Sequence, residues 1–337
     1  MRVHYWLIAI LVLLSISCKK ETQTISPPVD KSAATTEVAY STPQCSGNIW
    51  QLDDIYYGEL NDHDYVSYTP PMVYNNKIYV PDYEAQEVRI YDGDSWQTRA
   101  SLVPTYILEE TNSFTIGSKG YIVNTASKEC WEYNFATNYW SKKANFPGAR
   151  RWLSASFAIG TKGYIAGGGN MVNGSLKDVW AFNQLTNSWS GKAQMIFPLY
   201  GPTGFSIGDK GYVVLGQTPS GETTSLFEYD PVSNGWTGKA LFPGTRRREA
   251  IAFVIAGKAY VGGGRPASGE KFNDFYRYNP ASDAWVRVAD MPLADKTSIY
   301  GFALNSKGYG VFDLGSSNYA WCMLSYTPQY CTPGTSP

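Results

Sequence analysis

Short apolar and aromatic runs alternate with polar turns along most of the chain, and six of the runs share one core. A lysine, one further residue and a tyrosine recur in "NNKIYV", "GSKGYIV", "GTKGYIAGGG", "GDKGYVVLG", "AGKAYVGGG" and "NSKGYGVF", placing Tyr79, Tyr121, Tyr164, Tyr212, Tyr260 and Tyr309 in register. After each of the first five come an aromatic strand, a tight polar turn and a tryptophan: Trp96, Trp140, Trp189, Trp236 and Trp285. Successive copies lie 42 to 49 residues apart, which suits four strands of about five or six residues with turns between them. Self-similarity at such a period is the signature of a repeat architecture. Aromatics at 15%, 32 glycines and only 17% charged residues favour strands and glycine turns over charged helices. The pattern predicts an all-β protein.

The paired segments resemble the kelch repeat. "SFAIGTKGYIAGGG" with "VWAFNQLTNSW", and "AFVIAGKAYVGGG" with "FYRYNPASDAW", carry both halves of its pattern, and the likeness covers about residues 45–333. Copies one, two and six have "YVPD", "YIVNT" and "YGVFD" where the double glycine is usual. The resemblance implies a six-bladed β-propeller of four-stranded blades around a central channel. In the last copy, "MLSYTPQYCTPGTSP", the tryptophan due after Tyr326 is absent, whereas Trp50 stands alone one period before Trp96. The outer strand of blade six is therefore expected from the N-terminal side, closing the ring without a free edge. Counted from Trp50 and Tyr326, Cys45 and Cys331 fall three places apart across one turn, within disulfide reach. A Cys45–Cys331 disulfide is expected, with Cys130 and Cys322 as buried single thiols.

Residues 1–17 read as an export signal: Arg2, an apolar run from Tyr5 to Leu14, then small residues up to Cys18. The approach to Cys18 resembles a bacterial lipoprotein signal, with Ser15 where leucine is usual, which implies a lipid on Cys18. Lys19 in the next place implies the outer membrane, on its periplasmic or surface side. Residues 18–44 are rich in Ser, Thr, Pro and charge and predict a flexible tether; residues 334–337 form a tail. A tether entering at the tight-turn face leaves the opposite face pointing away from the membrane.

That opposite face carries the loops before first strands and between second and third strands. There "FPGARRW" and "FPGTRRRE" align Arg150 with Arg246 and Arg151 with Arg247; Arg248, Glu249 and Arg265 join them. These seven are the candidate ligand-binding residues, suited to gripping a carboxylate or sugar acid in bidentate fashion. Other blades hold Glu109 with Glu110 and Asp295 with Lys296 at these places. In kelch repeats an arginine at the first of these places packs blades together, which assigns Arg150 and Arg246 more of the scaffold role. The acidic stretch "LDDIYYGELNDHDYV" lacks the spacing of a calcium loop and reads as a solvated loop.

A net charge of −1 leaves no field that would gather nucleic acid. Once the signal is removed His63 is the only histidine, which is too few for a galactose-oxidase-type copper site or a multi-histidine zinc site. No Gly-x-Ser-x-Gly elbow occurs, and the runs Gly167–Gly169 and Gly262–Gly264 lack the Lys-Ser or Lys-Thr of a phosphate loop. No metal or cofactor is expected. The expectation is a monomeric, membrane-tethered binding module for a protein or glycan. The alternative is a metal-independent carbohydrate enzyme resembling the kelch-type sialic acid mutarotase, with Arg247, Arg248 and Glu249 as its catalytic group.

Overall fold

The computed structural model describes residues 45–46, 48–56, 70–82, 86–101, 111–172, 174–293, 296–313, 321–328 and 330–331. The export signal, Cys18, the tether, Glu59, Asp62, His63, Asp64, Glu109, Glu110, Asp295 and the tail lie outside them. Within the unit Gln44–Thr332, six four-stranded antiparallel sheets follow one another as the blades of a propeller, the first five laid down from inside to outside. Blade three, for example, runs Ala155–Ile159, Lys162–Ala166, Val179–Asn183 and Ser188–Lys192. Its first strand alternates between buried and half-buried residues, whereas its second is buried from Gly163 onward. The first strand faces the channel on one side; the second is sandwiched between neighbouring blades.

That sandwich explains the recurrent Lys-Gly-Tyr. A Cβ built on Gly163 would sit 2.0 Å from the Phe114 ring of the preceding blade, and Gly211 and Gly308 stand in the same relation to Phe157 and Phe253. The glycine leaves room for that ring. Each tyrosine then packs against the next blade, as in the stacked pair Phe157–Tyr164 beside Tyr229. Six buried apolar clusters result, one at each junction between adjacent blades. The cluster joining blade six to blade one combines Tyr300, Phe302 and Tyr309 with Ile78 and Tyr91.

The strand Ile49–Tyr56 is the outer strand of the sixth sheet, paired antiparallel with Trp321–Thr327 so that Trp50 opposes Tyr326. Trp50 Nε1 donates to Ala289 O at 3.0 Å, as Trp189, Trp236 and Trp285 donate to Ala144, Ala193 and Ala240 of their preceding blades. Asn48 adopts φ +60°, accepts from the Tyr326 hydroxyl at 2.8 Å and takes the Ala289 N–H at 2.9 Å. Asn234 does the same for Tyr229 and Ala193. Burial pushes the Tyr229 phenol up to about 12, so it stays a donor throughout the physiological range. The N-terminal segment thus reproduces, contact for contact, the turn that covalently joined blades build from one stretch of chain.

Beyond that turn position the two chain ends diverge from the sequence expectation. They continue as a two-residue ladder with Ser46 opposite Tyr330 and Cys45 directly opposite Cys331, instead of standing three places apart across a turn. No peptide bond joins them, so nothing forces the chain to reverse there. Cys130 and Cys322 are buried in third strands and neither is in a disulfide, as expected.

Candidate functional site

The first strands enclose a central cavity of about 730 Å³. Its walls carry small hydroxyl side chains, and several of these tie blades together: Ser156 donates to Ser113 O, and Thr203 to Ala250 O. At the loop-face mouth the lining includes Leu153, Gly201, Glu249 and Arg265. Leu153, Gly201 and Glu249 occupy one place in three successive blades, and all three are left-handed, with φ of +49°, +63° and +57°. Gly201 N donates to Leu153 O at 3.0 Å and Glu249 N to Gly201 O at 2.9 Å. The turn is therefore built into the blade geometry, and a glutamate held in it carries backbone strain that glycine would not.

Around Glu249 the charged side chains converge. Arg265 Nε donates to Glu249 Oε2 at 2.9 Å, and Arg248 Nε stands 3.2 Å from Oε1. That second contact is an ion pair without hydrogen-bond geometry, and both atoms are buried with no hydrogen-bond partner. Arg248 Nη1 donates to Gln217 Oε1, and its guanidinium lies 5.3 Å over the Tyr200 ring. The backbone sets this up: Arg248 and Arg265 form a β-bridge, as do Tyr200 and Gln217 in blade four and Trp152 and Gly169 in blade three. Two cations thus flank one carboxylate. Among the described residues no protein group accepts from the Arg265 terminal nitrogens, and its side chain is 38% exposed. An anion at the mouth would meet a guanidinium already fixed in direction.

Of the seven sequence candidates, Arg248, Glu249 and Arg265 come together. Arg151 and Arg247 do not join them: both are 0% exposed. Arg151 Nη1 and Nη2 grip Asp178 at 2.8 and 2.6 Å, while Nε and Nη1 donate to Ala149 O and Gly167 O. Arg247 repeats the pattern with Asp274, Thr245 O and Gly263 O, packed on Phe242 and Phe272. The blade-packing arginines are therefore Arg151 and Arg247, which corrects the assignment to Arg150 and Arg246; those two are exposed. The grouping of Arg247, Arg248 and Glu249 as one catalytic set is corrected for the same reason, since all the Arg247 nitrogens are committed within the fold. Sequence reading missed Tyr200 and Gln217. The signal was available, because Gln217 follows "VLG" as Arg265 follows "VGGG".

Comparison with known proteins agrees with this architecture. Residues 105–301 match the family model of the KLHDC2/KLHL20/DRC7 Kelch-repeats domain. N-acetylneuraminate epimerase of Haemophilus influenzae (strain PittEE) is 36% identical over 122 residues, 35% of this chain and 31% of that protein. Its namesake in Pasteurella multocida (strain Pm70) is 32% identical over 120 residues, 34% of this chain and 30% of that protein. The chain thus spans about a third of the length of the curated relatives it matches. The solved structure of YjhT is similar with a TM-score of 0.64 and 16% identity, covering 78% of this chain and 96% of that one; this likeness concerns the fold. The family match covers more than half of the chain: it belongs to the kelch-repeat family.

Proposed function

We propose that this protein is an exported, membrane-tethered propeller that binds an acidic glycan or sugar acid at the loop-face mouth of its channel. The observation that carries the reading is Arg265, held by Glu249 at 2.9 Å on the cavity lining with its terminal nitrogens free of described protein partners. A fixed guanidinium fork is suited to a carboxylate, and the partial likeness to N-acetylneuraminate epimerases makes N-acetylneuraminate the first ligand to test. Calorimetric titration is expected to show the acid binding about tenfold more tightly than its uncharged methyl ester, the value of one charge-assisted contact of roughly 1.4 kcal/mol. Equal affinity for acid and ester would sink the carboxylate clamp. Lipid on Cys18 and an outer-membrane location belong to the same proposal, supported by the leader sequence.

A second reading, anomerisation of the bound sugar acid, is favoured by the names of the relatives. NMR exchange between the anomers of N-acetylneuraminate decides it: a rate no faster than in buffer leaves the protein a binder.

In the exported compartment Cys45 and Cys331 would be joined. Directly opposed residues of an antiparallel pair have Cα atoms about 4.5–5.5 Å apart, inside the range a disulfide spans. The two thiols would pass two electrons and two protons to a disulfide-donating oxidoreductase, which leaves reduced. Alkylation of the unreduced, denatured protein should then label Cys130 and Cys322 but neither Cys45 nor Cys331, with both gaining label after reduction. Label on Cys45 and Cys331 before reduction excludes the bond.

A further inference from the structure

The tight-turn face carries a charge pattern that the acid site at the opposite mouth does not use. Every second strand begins with a lysine, Lys77, Lys119, Lys162, Lys210, Lys258 or Lys307, and all six are half-buried. Each stands opposite the last residue of its first strand, as Lys119 stands opposite Ile116 and Lys307 opposite Leu304. One register place repeated in six blades of a closed propeller makes a ring of lysines at the tight-turn end of the channel. A half-buried lysine lays its stem on the protein and keeps its ammonium group in water.

What compensates the ring comes from third strands. Lys77 meets Asp92 at 3.7 Å and Lys210 meets Asp230 at 3.1 Å. At the same place the other blades hold Asn134, Asn183, Asn279 and Thr327, and among the described residues Lys119, Lys162, Lys258 and Lys307 form no ion pair. The turn does not require the difference. Asp92 Oδ1 accepts from Ser95 N at 3.0 Å and Asp230 Oδ1 from Val232 N at 2.8 Å, as Asn134 Oδ1 accepts from Ala136 N and Asn183 Oδ1 from Leu185 N, both at 3.0 Å. Asparagine in place of aspartate thus keeps the turn and changes only the charge. The turns of blades two, three and six carry no carboxylate; the remaining acids of this face, Asp94, Asp209 and Asp283, belong to blades one, four and five.

The same face receives the chain. Cys45 and Ser46 continue the seam outward past Asn48 at this end, and residues 18–44, read as a tether, would have a root-mean-square reach of roughly 30 Å. We infer that the tight-turn face docks on the anionic phospholipid surface that holds the tether, through Lys119, Lys162, Lys258 and Lys307. The inference rests on the membrane-tethered reading above. Lipid phosphates give these four lysines the partner that Asp92 and Asp230 give in blades one and four, and a surface of many such charges meets the ring at several points at once.

The test is co-sedimentation of the unlipidated chain from residue 18 onward, which keeps the tether and the whole propeller, with vesicles of phosphatidylcholine alone or of phosphatidylcholine and phosphatidylglycerol in equal parts. The wild type is expected to bind the anionic vesicles about tenfold more tightly at low salt, with the preference fading as salt rises. Replacing the four lysines together, Lys119→Gln, Lys162→Gln, Lys258→Gln and Lys307→Gln, should bring the ratio close to one. The pair Asn134→Asp and Asn183→Asp should lower it in the same direction while keeping every turn acceptor, so it decides the matter should the lysine variant not fold. A wild-type ratio of one overturns the docking face, and so does a preference retained in both variants, which would place it on Lys19 and Lys20 of the tether. Labelled fatty acid incorporated at Cys18 judges the tether separately: without it the membrane-tethered reading falls whatever the vesicles show, whereas lipid on Cys18 beside a ratio of one leaves the tether and removes the docking.

Discussion

Replacing Arg247 with alanine is expected to lower the unfolding free energy by about 4 kcal/mol, and Arg151 with alanine by about 3 kcal/mol. Removing one partner of a buried ion pair costs roughly 3–5 kcal/mol because the other charge is left unpaired. The ranking follows from what remains: Asp274 is 17% exposed, so water helps it little, whereas Asp178 at 31% recovers more hydration. Each arginine also satisfies two backbone carbonyls that would be orphaned. Denaturant unfolding of both variants measures the effect, and a loss below about 1 kcal/mol for Arg247→Ala would place these arginines outside the fold's support.

The same pair gives a pH signature. Burial acts to raise the Asp178 carboxyl, but the hydrogen bonds and charge of Arg151 outweigh it and hold the group below its ordinary value. A depressed folded pKa stabilises fully above the unfolded value of about 3.9 and loses that contribution as pH falls through the folded one. The gap in stability between wild type and Arg151→Ala should accordingly be constant near neutrality and shrink below about pH 4.

Trp50→Ala carries the second large expectation, a loss of about 3 kcal/mol, at the low end for a tryptophan because the ring is half-buried. Trp50 packs edge-on against Phe275 at 4.7 Å and donates to the Ala289 carbonyl, the same service that Trp285 gives with Phe242 and Ala240. Trp285→Ala is the internal standard. Similar losses mean that the strand Ile49–Tyr56 unfolds with the rest of the propeller. A silent Trp50→Ala beside a costly Trp285→Ala would mean that this strand stands outside the cooperative unit.

What could be read from the sequence follows what sterics repeat. Gly163, Gly211 and Gly308 recur because a ring from the previous blade needs the space, so the period was visible, and with it Trp50 as the missing member of the series. The arginines were harder. Arg150 and Arg151 are adjacent, and sequence alone does not say which of two neighbours turns inward. The distinguishing partner lies 27 residues on, where Asp178 and Asp274 each follow their arginine by the same interval. The charged cluster at the mouth was legible as a set of loop-face positions, but its pairing was not. Glu249 meets Arg265 across a bridge between segments 16 residues apart, and the equivalent pair in blade three, Leu153 and Gly169, is uncharged, so no repeat announces it.

The short ladder of Cys45 and Ser46 against Cys331 and Tyr330 also has a mechanical meaning. Any pull transmitted along the chain from before residue 45 arrives at the end of an antiparallel pair, where strands unzip rung by rung and yield at low load. The rungs that would open first are these two, ahead of Asn48 and Trp50. A covalent link at Cys45 and Cys331 would put the first obstacle at the outermost rung, so that tension is carried by a bond between the two ends of the ring and not by the weakest stretch of its seam.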